Sequence, residues 1–343
     1  MHEGQGIVSE VAAAVGLREG EAGVRAVLAA LARLEPVSTR RLSRAVELPV
    51  PIVASVCGEL RKRGVVAEAR PTQLTEAGRG RFGAGRLDLA GLQPHELRAA
   101  GREVARIARA APQPLVELDQ CHCTVETKLR RVVALHEADA LVGRRILLLG
   151  DDDLVSVALA TLVRRHGTDA TISSLTVVDL DDRVLGFLRE QLAEAAFPVM
   201  CIRHDLRAPL GPGLRGRFDT VVTDPPYTVP AARLFLSRAA DALRGPGGDV
   251  LFSFGSRRPG ASFDVQRTIA ELGFVIRRLE RDFNEYVGAG VLGGTSHLYH
   301  LTATNHLRAL AAGRFDGPLY TGQLYMGEPS AARSTSIGAR RSA

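Results

Sequence analysis

Ile146-Leu147-Leu148-Leu149-Gly150-Asp151-Asp152-Asp153 is an apolar run that stops on a glycine and continues into three carboxylates. Consecutive large aliphatic residues without polar alternation read as a strand covered on both faces, and the glycine marks the turn into the next helix. From Arg144 onward the pattern recurs. Strand-like runs cover Arg144–Gly150, Leu175–Asp179, Val199–Arg203, Thr220–Asp224, Asp249–Phe254, Phe274–Leu279 and Leu298–Thr302, with helical spacing in most of the intervals. Alternation of this kind predicts an α/β class with a seven-stranded, mostly parallel sheet covered by helices on both faces.

Upstream the periodicity is helical. Apolar positions at helical spacing run from Glu21 to Leu34, from after Ser38 to Val46, and from Pro51 to Arg63, with Ser38 as an N-cap and Pro49 and Pro51 separating the second helix from the third. A short extended stretch, Val65 to Arg70, and the turn Gln73-Leu74-Thr75-Glu76-Ala77-Gly78-Arg79 follow. Three helices and a small ribbon resemble a winged-helix domain over about residues 20–82. DNA binding would make Pro51–Arg63 the recognition helix. Arg61, Lys62 and Arg63, however, sit at its C-terminal end, where cations complement the helix dipole, so a dimerisation or substrate-covering module is the expected role.

The chain has 343 residues, of which 45% are hydrophobic, enough for a large core and for two domains. The expected division is a winged-helix-like domain over 1–85, a linker and helical segment over 86–143, a Rossmann-like catalytic domain over 144–325 and a disordered tail over 326–343. Seven strands, the last two without a clear helix between them, suit a class I methyltransferase-like Rossmann fold. The net charge of +6 is divided as +5 on residues 1–110, +2 on the tail and −1 on the rest. A surplus of that size on the N-terminal region is an ordinary solvated surface, and nucleic acid is not expected as a partner. No leader pattern and no membrane-length apolar stretch are present, which predicts a cytoplasmic protein with no membrane partner. Cys57, Cys121, Cys123 and Cys201 are too scattered for a disulfide framework. Cys121-His122-Cys123 lacks a second pair at ligand spacing, and no metal is expected.

In doubly wound folds the ligand lies beyond the carboxyl ends of the strands, where strand order reverses. Asp151, Asp152 and Asp153 fall in that loop, behind Gly150. A glycine-rich loop there attracts anions, and three carboxylates would repel them, so a cationic ligand is indicated. Helix capping accounts for one or two of the three. Asp179 closes the second strand, where an acidic side chain accepts from ribose hydroxyls, or else caps the next helix with Asp181 and Asp182. Asp205, after the third strand, is placed to accept from an adenine amino group, or is a turn former. After the fourth strand, Asp224-Pro225-Pro226-Tyr227 is more specific. The prolines stiffen the backbone so that a carboxylate and a carbonyl converge, while the Tyr ring covers them. Such a pocket holds an amine by its protons. In Asn284-Glu285-Tyr286-Val287-Gly288-Ala289 and Gly293-Gly294-Thr295-Ser296-His297, Glu285 adds a carboxylate to the cleft or belongs to a hairpin turn.

Gly150-Asp151-Asp152-Asp153 and Asp224-Pro225-Pro226-Tyr227, behind a winged-helix-like region, resemble the branched-chain polyamine synthases over roughly residues 20–325. The pair of motifs is specific; Asp-Pro-Pro-Tyr alone also marks amino-methyltransferases. The resemblance implies an aminopropyltransferase that moves an aminopropyl group from decarboxylated S-adenosylmethionine to the secondary amine of spermidine. The resemblance also implies that no cofactor stays bound, the decarboxylated donor being a co-substrate, and that the protein forms a homodimer. Asp153 or Asp152 would deprotonate the amine, and Asp224 would share the catalytic role. Asp151, Pro225, Pro226, Tyr227 and Glu285 would line the polyamine side, and Gly150, Asp179 and Asp205 the nucleoside side. Charge agrees with this. The decarboxylated donor carries a sulfonium and an ammonium but no carboxylate, and each desolvated like-charge mismatch costs several kcal/mol.

Two rivals are set beside it. Methyl transfer from S-adenosylmethionine to an amine of a nucleic-acid base shares the Asp-Pro-Pro-Tyr logic but leaves the acidic first loop unexplained. A transcription regulator with a degenerate, sensing Rossmann domain would shift duplex DNA and turn over no donor.

Overall fold

The computed structural model describes residues 2–82, 94–166, 172–255, 258–288, 294–311 and 313–321. Its centre is a seven-stranded sheet in the order β3-β2-β1-β4-β5-β7-β6. The strands are β1 (Arg145–Leu149), β2 (Ser174–Asp179), β3 (Val199–Arg203), β4 (Thr220–Thr223), β5 (Asp249–Phe254), β6 (Phe274–Glu285) and β7 (Thr295–Ala303). The first five pair in parallel, and β7 enters antiparallel between β5 and β6. This is the class I methyltransferase-like Rossmann order expected from the alternating pattern.

The buried runs explain the centre of the sheet. Ile146 to Leu149 in β1, all of β4 and all of β5 are buried, because helices cover both faces. On one face lie α6 (Pro94–Ala108), α7 (Val125–Glu137), α8 (Val155–His166) and α9 (Asp182–Gln191), sharing a core that includes Val104, Val132, Leu159 and Leu185. On the other, α10 (Val229–Ala242) and α11 (Pro259–Glu271) pack through Leu236, Ala239, Val265 and Ile269. β1 is the hinge of the order, flanked by β2 and β4, so strand order reverses there. The crevice above the carboxyl ends of β1 and β4 is where a ligand belongs in such sheets.

Two strands run further than expected. β6 continues past Leu279 to Glu285, with irregular register between Ile276 and Arg278 and between Glu280 and Asn284, and β7 begins at Thr295. The extension carries Asn284 and Glu285 out of the expected turn and onto a strand end, beside the crevice.

The N-terminal helices form their own core. They are α1 (His2–Val15), α2 (Gly20–Leu34), α3 (Thr39–Val46) and α4 (Val50–Lys62), followed by α5 (Glu76–Phe82). Ser38 caps α3 by accepting from Arg41 N at 3.3 Å, and Pro51 opens α4. The expected ribbon is reduced to single bridges, Val66 with Leu74 and Val37 with Thr72. The leading helix α1 was not expected. It packs Val8, Val11 and Ala12 into the same cluster as Val24, Leu31, Val56 and Leu60. The three basic residues ending α4 are engaged. Arg63 and Lys62 pair with Glu59, and Arg61 Nε donates to Ala67 O.

Among the described residues no helix is long and apolar enough to cross a membrane. The expected tail over 326–343, part of the expected linker, and Ala289 and Gly293 of the glycine-rich stretch lie outside the described residues.

Candidate active site

Gly150 takes φ +80°, the left-handed conformation that lets β1 turn, and its N–H donates to Val178 O at 2.8 Å. The three aspartates that follow then diverge. Asp151 turns inward and is 2% exposed. Its Oδ1 accepts from Val155 N at 2.7 Å and its Oδ2 from Ser156 N at 3.2 Å and from Ser156 Oγ. Asp151 thus caps α8, the capping role weighed for this run of aspartates, with both oxygens accepting from helix donors. Burial pushes its carboxyl up to about 7 against the pull of those hydrogen bonds.

Asp153 turns towards α7. Its Oδ2 accepts from Arg131 Nη1 at 2.6 Å and its Oδ1 from Cys123 N at 2.5 Å. Burial acts to raise it, but the Arg131 and Lys128 charges win and hold it well below the usual carboxylate range. A carboxylate so stabilised as an anion is a poor proton acceptor.

Asp152 differs from both. It is half-buried, and one oxygen accepts from Cys121 N at 3.2 Å. Among the described residues no cation lies in hydrogen-bond range of its carboxyl group. Burial, then the charges of Asp153, Asp179, Asp224 and Asp151, push it well above the ordinary range.

Asp224 closes the opposite side. Its Oδ2 accepts from Arg131 Nη2 and from Tyr286 OH, both at 2.6 Å, and its Oδ1 from Tyr227 OH at 3.0 Å. Burial brings it to about 6, Arg131 opposing and Asp153 adding to the rise. Pro225 is buried and Pro226 half-buried; the Pro226 carbonyl accepts from Thr228 N at 2.7 Å, and Thr228 caps α10. Tyr227 stands edge-on to Phe254 and to Tyr286, with ring centroids 5.6 and 6.2 Å away, and the two tyrosine hydroxyls touch.

Arg131 holds this together. It is 1% exposed, and its Nε donates to Asn284 Oδ1 at 2.9 Å, while Asn284 Nδ2 donates to Ser253 and Ser296. One planar fork thus joins α7, the first loop, the end of β4 and the end of β6. Neither Arg131 nor Tyr286 was singled out from the sequence. A signal existed at Lys128, one of only two lysines in an arginine-rich chain. It is 1% exposed and donates to Cys123 O at 2.6 Å, marking the inner face of α7.

A strap over residues 112–124 lies against the first loop. His122 Nδ1 contacts Asp152 O at 2.8 Å and Nε2 contacts Pro112 O at 3.1 Å. The strap is bridged to the end of β6 through Cys123 and Tyr286. Glu285 has its backbone tied to Thr124 and Thr127, while its carboxylate is exposed. The Cys121 thiol is pushed up to about 11 by burial and by Asp153, Asp152 and Asp224. Asp179 accepts from Asp151 N at 3.0 Å and Asp181 N at 2.9 Å, which ties the second strand end to the first loop. Asp205 stands further out, accepting from Arg207 N at 2.9 Å and facing Arg314 at 3.4 Å.

The family model for the C-terminal domain of branched-chain polyamine synthase A matches residues 100–309. The chain belongs to the branched-chain polyamine synthase family. Of this family, the N(4)-bis(aminopropyl)spermidine synthase of Methanocaldococcus jannaschii is 32% identical over 263 residues, 71% of this chain and 72% of that one. The Thermus thermophilus protein of the same name is 31% identical over 299 residues, 83% of either chain. The crystal structure of the Thermus thermophilus branched-chain polyamine synthase, in complex with N4-aminopropylspermidine and 5′-methylthioadenosine, superposes with a TM-score of 0.59 at 25% identity. The match covers 92% of this chain and 97% of that one. Arg131 bonds directly to Asp153, Asp224, Asn284 and Tyr286, and Tyr227 joins through Asp224; Asp151 is bonded to Asp179 and Asp152 to the strap, whereas Asp205 and the Glu285 carboxylate stand apart from the Arg131 network, and all lie within the family match.

Proposed function

We propose that this chain transfers an aminopropyl group from decarboxylated S-adenosylmethionine to the secondary amine of spermidine, releasing methylthioadenosine and giving branched polyamines such as N4-bis(aminopropyl)spermidine. Names of the family relatives and the ligands of the Thermus thermophilus structure support this. The observation in this chain that carries it is Asp152. Asp152, Asp153, Asp179 and Asp224 crowd the crevice with Arg131 and Lys128 as counter-charge, and those two cations are committed to Asp153, Asp224 and Cys123. The uncompensated charge falls on Asp152. An incoming sulfonium and polyammonium would supply what is missing, whereas an intact donor would set its own carboxylate against it.

In this reading Asp152 is the base. In the free protein burial and the neighbouring carboxylates shift its carboxyl towards the protonated form. Cationic ligands favour the ionised form, the proton leaves, and the carboxylate then takes the proton of the spermidine secondary amine. The nitrogen lone pair attacks the methylene next to sulfur, a C–N bond forms, and the C–S bond breaks with its electron pair passing to sulfur. General-base help of this kind is typically worth ~10²–10⁴ in rate. Asp224, oriented by Arg131 and both tyrosines, would accept a hydrogen bond from the amine. Asp153 would act through Arg131 as a positioning residue. Gly150 and Asp179 would border the ribose, and Pro225, Pro226, Tyr227 and Glu285 the polyamine. A homodimer, a cytoplasmic location and the segment boundaries at 85, 143 and 325 belong to the same proposal.

The test is mass analysis of products after incubation with decarboxylated donor and spermidine, with intact donor in parallel. Spermidine heavier by one or two aminopropyl groups, with one methylthioadenosine released per group transferred, is expected from the decarboxylated donor only. Methylation of nucleic acid by the intact donor, with no aminopropyl transfer, would overturn the proposal.

A further inference from the structure

The residues from Gly313 to Thr321 have no part in the chemistry above, yet they are pinned across the mouth of the crevice. Phe315 N donates to Arg207 O at 2.8 Å, and Arg207 Nη1 donates to Gly317 O at 2.7 Å. Thr228 Oγ1 donates to Leu319 O at 2.7 Å, and the Leu319 side chain, 3% exposed, is seated on Ala231 and Leu234 of α10. At the far end Thr321 N and Thr321 Oγ1 each donate to a separate oxygen of Asp119 at 2.6 Å. Asp119 adjoins Gln120, whose Nε2 donates to Asp181 at 3.3 Å beyond the end of β2. The segment therefore spans from the loop after β3 to the strap beside β2.

Tyr320 is carried in that span. Its ring lies over the Arg207 guanidinium with the centroid 5.9 Å away, and Arg207 N is bonded to Asp205. The side chain is half-buried and packs against the same apolar cluster of α10 in which Leu319 is seated. Through Arg207 it adjoins Asp205 after β3, and through Thr321, Asp119 and Gln120 it adjoins Asp181 after β2, so it stands between the groups that follow the ends of β2 and β3. Those are the two strand ends that border a nucleoside in this fold.

We infer that Tyr320 is the aromatic wall of the nucleoside subsite, stacking on the purine of the donor and held there by the Asp119–Thr321 pair. The inference rests on the aminopropyl-transfer reading for the identity of the nucleoside. It adds a specificity residue on the far side of the crevice from the reacting amine. Such a wall selects for the purine and is indifferent to the charge of the aminopropyl arm.

Calorimetric binding of methylthioadenosine tests this without turnover, in the wild-type chain, Tyr320→Ala and Tyr320→Phe. Loss of the ring in Tyr320→Ala is expected to weaken binding on the order of tenfold, the usual worth of one base–aromatic stack. Tyr320→Phe keeps the ring and is expected to bind as the wild type does. In turnover, Tyr320→Ala should raise KM for the donor and leave KM for spermidine unchanged, a split that general loosening of the fold would not produce. Wild-type affinity in Tyr320→Ala, or equal losses in both variants, overturns the stacking role alone. A wild-type chain that binds no methylthioadenosine overturns the functional reading and this inference together.

Discussion

Arg131 Nη1 lies 2.6 Å from Asp153 Oδ2, with the two side chains only 2% and 6% exposed. The ion pair is deep, and the same guanidinium reaches Asp224, so one residue fixes the distance between the acidic loop and the Asp-Pro-Pro-Tyr turn. Its value is geometric. Desolvation offsets much of the attraction in a buried pair, but removing one partner strands the other.

Arg131→Met should therefore destabilise the protein by about 3–5 kcal/mol, since Asp224 would lose its paired cation and Asp153 would be left with Lys128 alone. Arg131→Lys should recover less than half of that, because a single ammonium cannot reproduce the fork that serves both carboxylates and Asn284. Thermal unfolding of the two variants checks this. Equal and wild-type midpoints would refute the clamp.

Asp151→Ala should behave as loss of a helix cap. The expected cost is ~0.5–2 kcal/mol of stability, with spermidine KM unchanged. A normal unfolding midpoint combined with a large rise in spermidine KM would return Asp151 to the substrate.

Polyamine binding should expel protons. Asp152 is raised by burial and by the carboxylates around it, so its proton is retained at a pH where an ordinary carboxyl has lost it. A bound polycation favours the anion and lowers that pKa, so the proton is released on binding, most fully at a pH between the lowered and the raised values and less on either side. Spermidine titrated into the protein with methylthioadenosine, in buffers of different ionisation enthalpy, reads the release. Asp152→Asn should release fewer protons than the wild type. Identical buffer dependence in the two would contradict the assignment.

The buried half of the sheet was legible for a simple reason. Ile146 to Leu149, Val221 to Val222 and Val250 to Phe252 lie under helices on both faces, so their composition alone marks them as strands. Glu280, Arg281 and Asp282 hid the rest of β6, because an edge strand exposes its charges and breaks the period. α1 was hidden by Gly4 and Gly6, which weaken a helix that the contacts of Val8 and Val11 nonetheless hold. At the site, the two motifs lie on the two loops that Arg131 joins, but a run of three aspartates does not say which one caps, which one pairs with Arg131 and which one has no cation beside it among the described residues. That division depends on Ser156 and Arg131. Arg131 in Lys128-Leu129-Arg130-Arg131 looks like any solvated charge until α7 is laid against the loop.

The most direct measurement is the single-turnover rate of aminopropyl transfer by Asp152→Asn, with methylthioadenosine affinity measured on the same protein. A fall of roughly 10²–10⁴ in rate is predicted, the usual worth of a general base, with nucleoside binding retained. A near-wild-type rate would show that some other group takes the proton, and Asp152 would no longer be the centre of the chemistry.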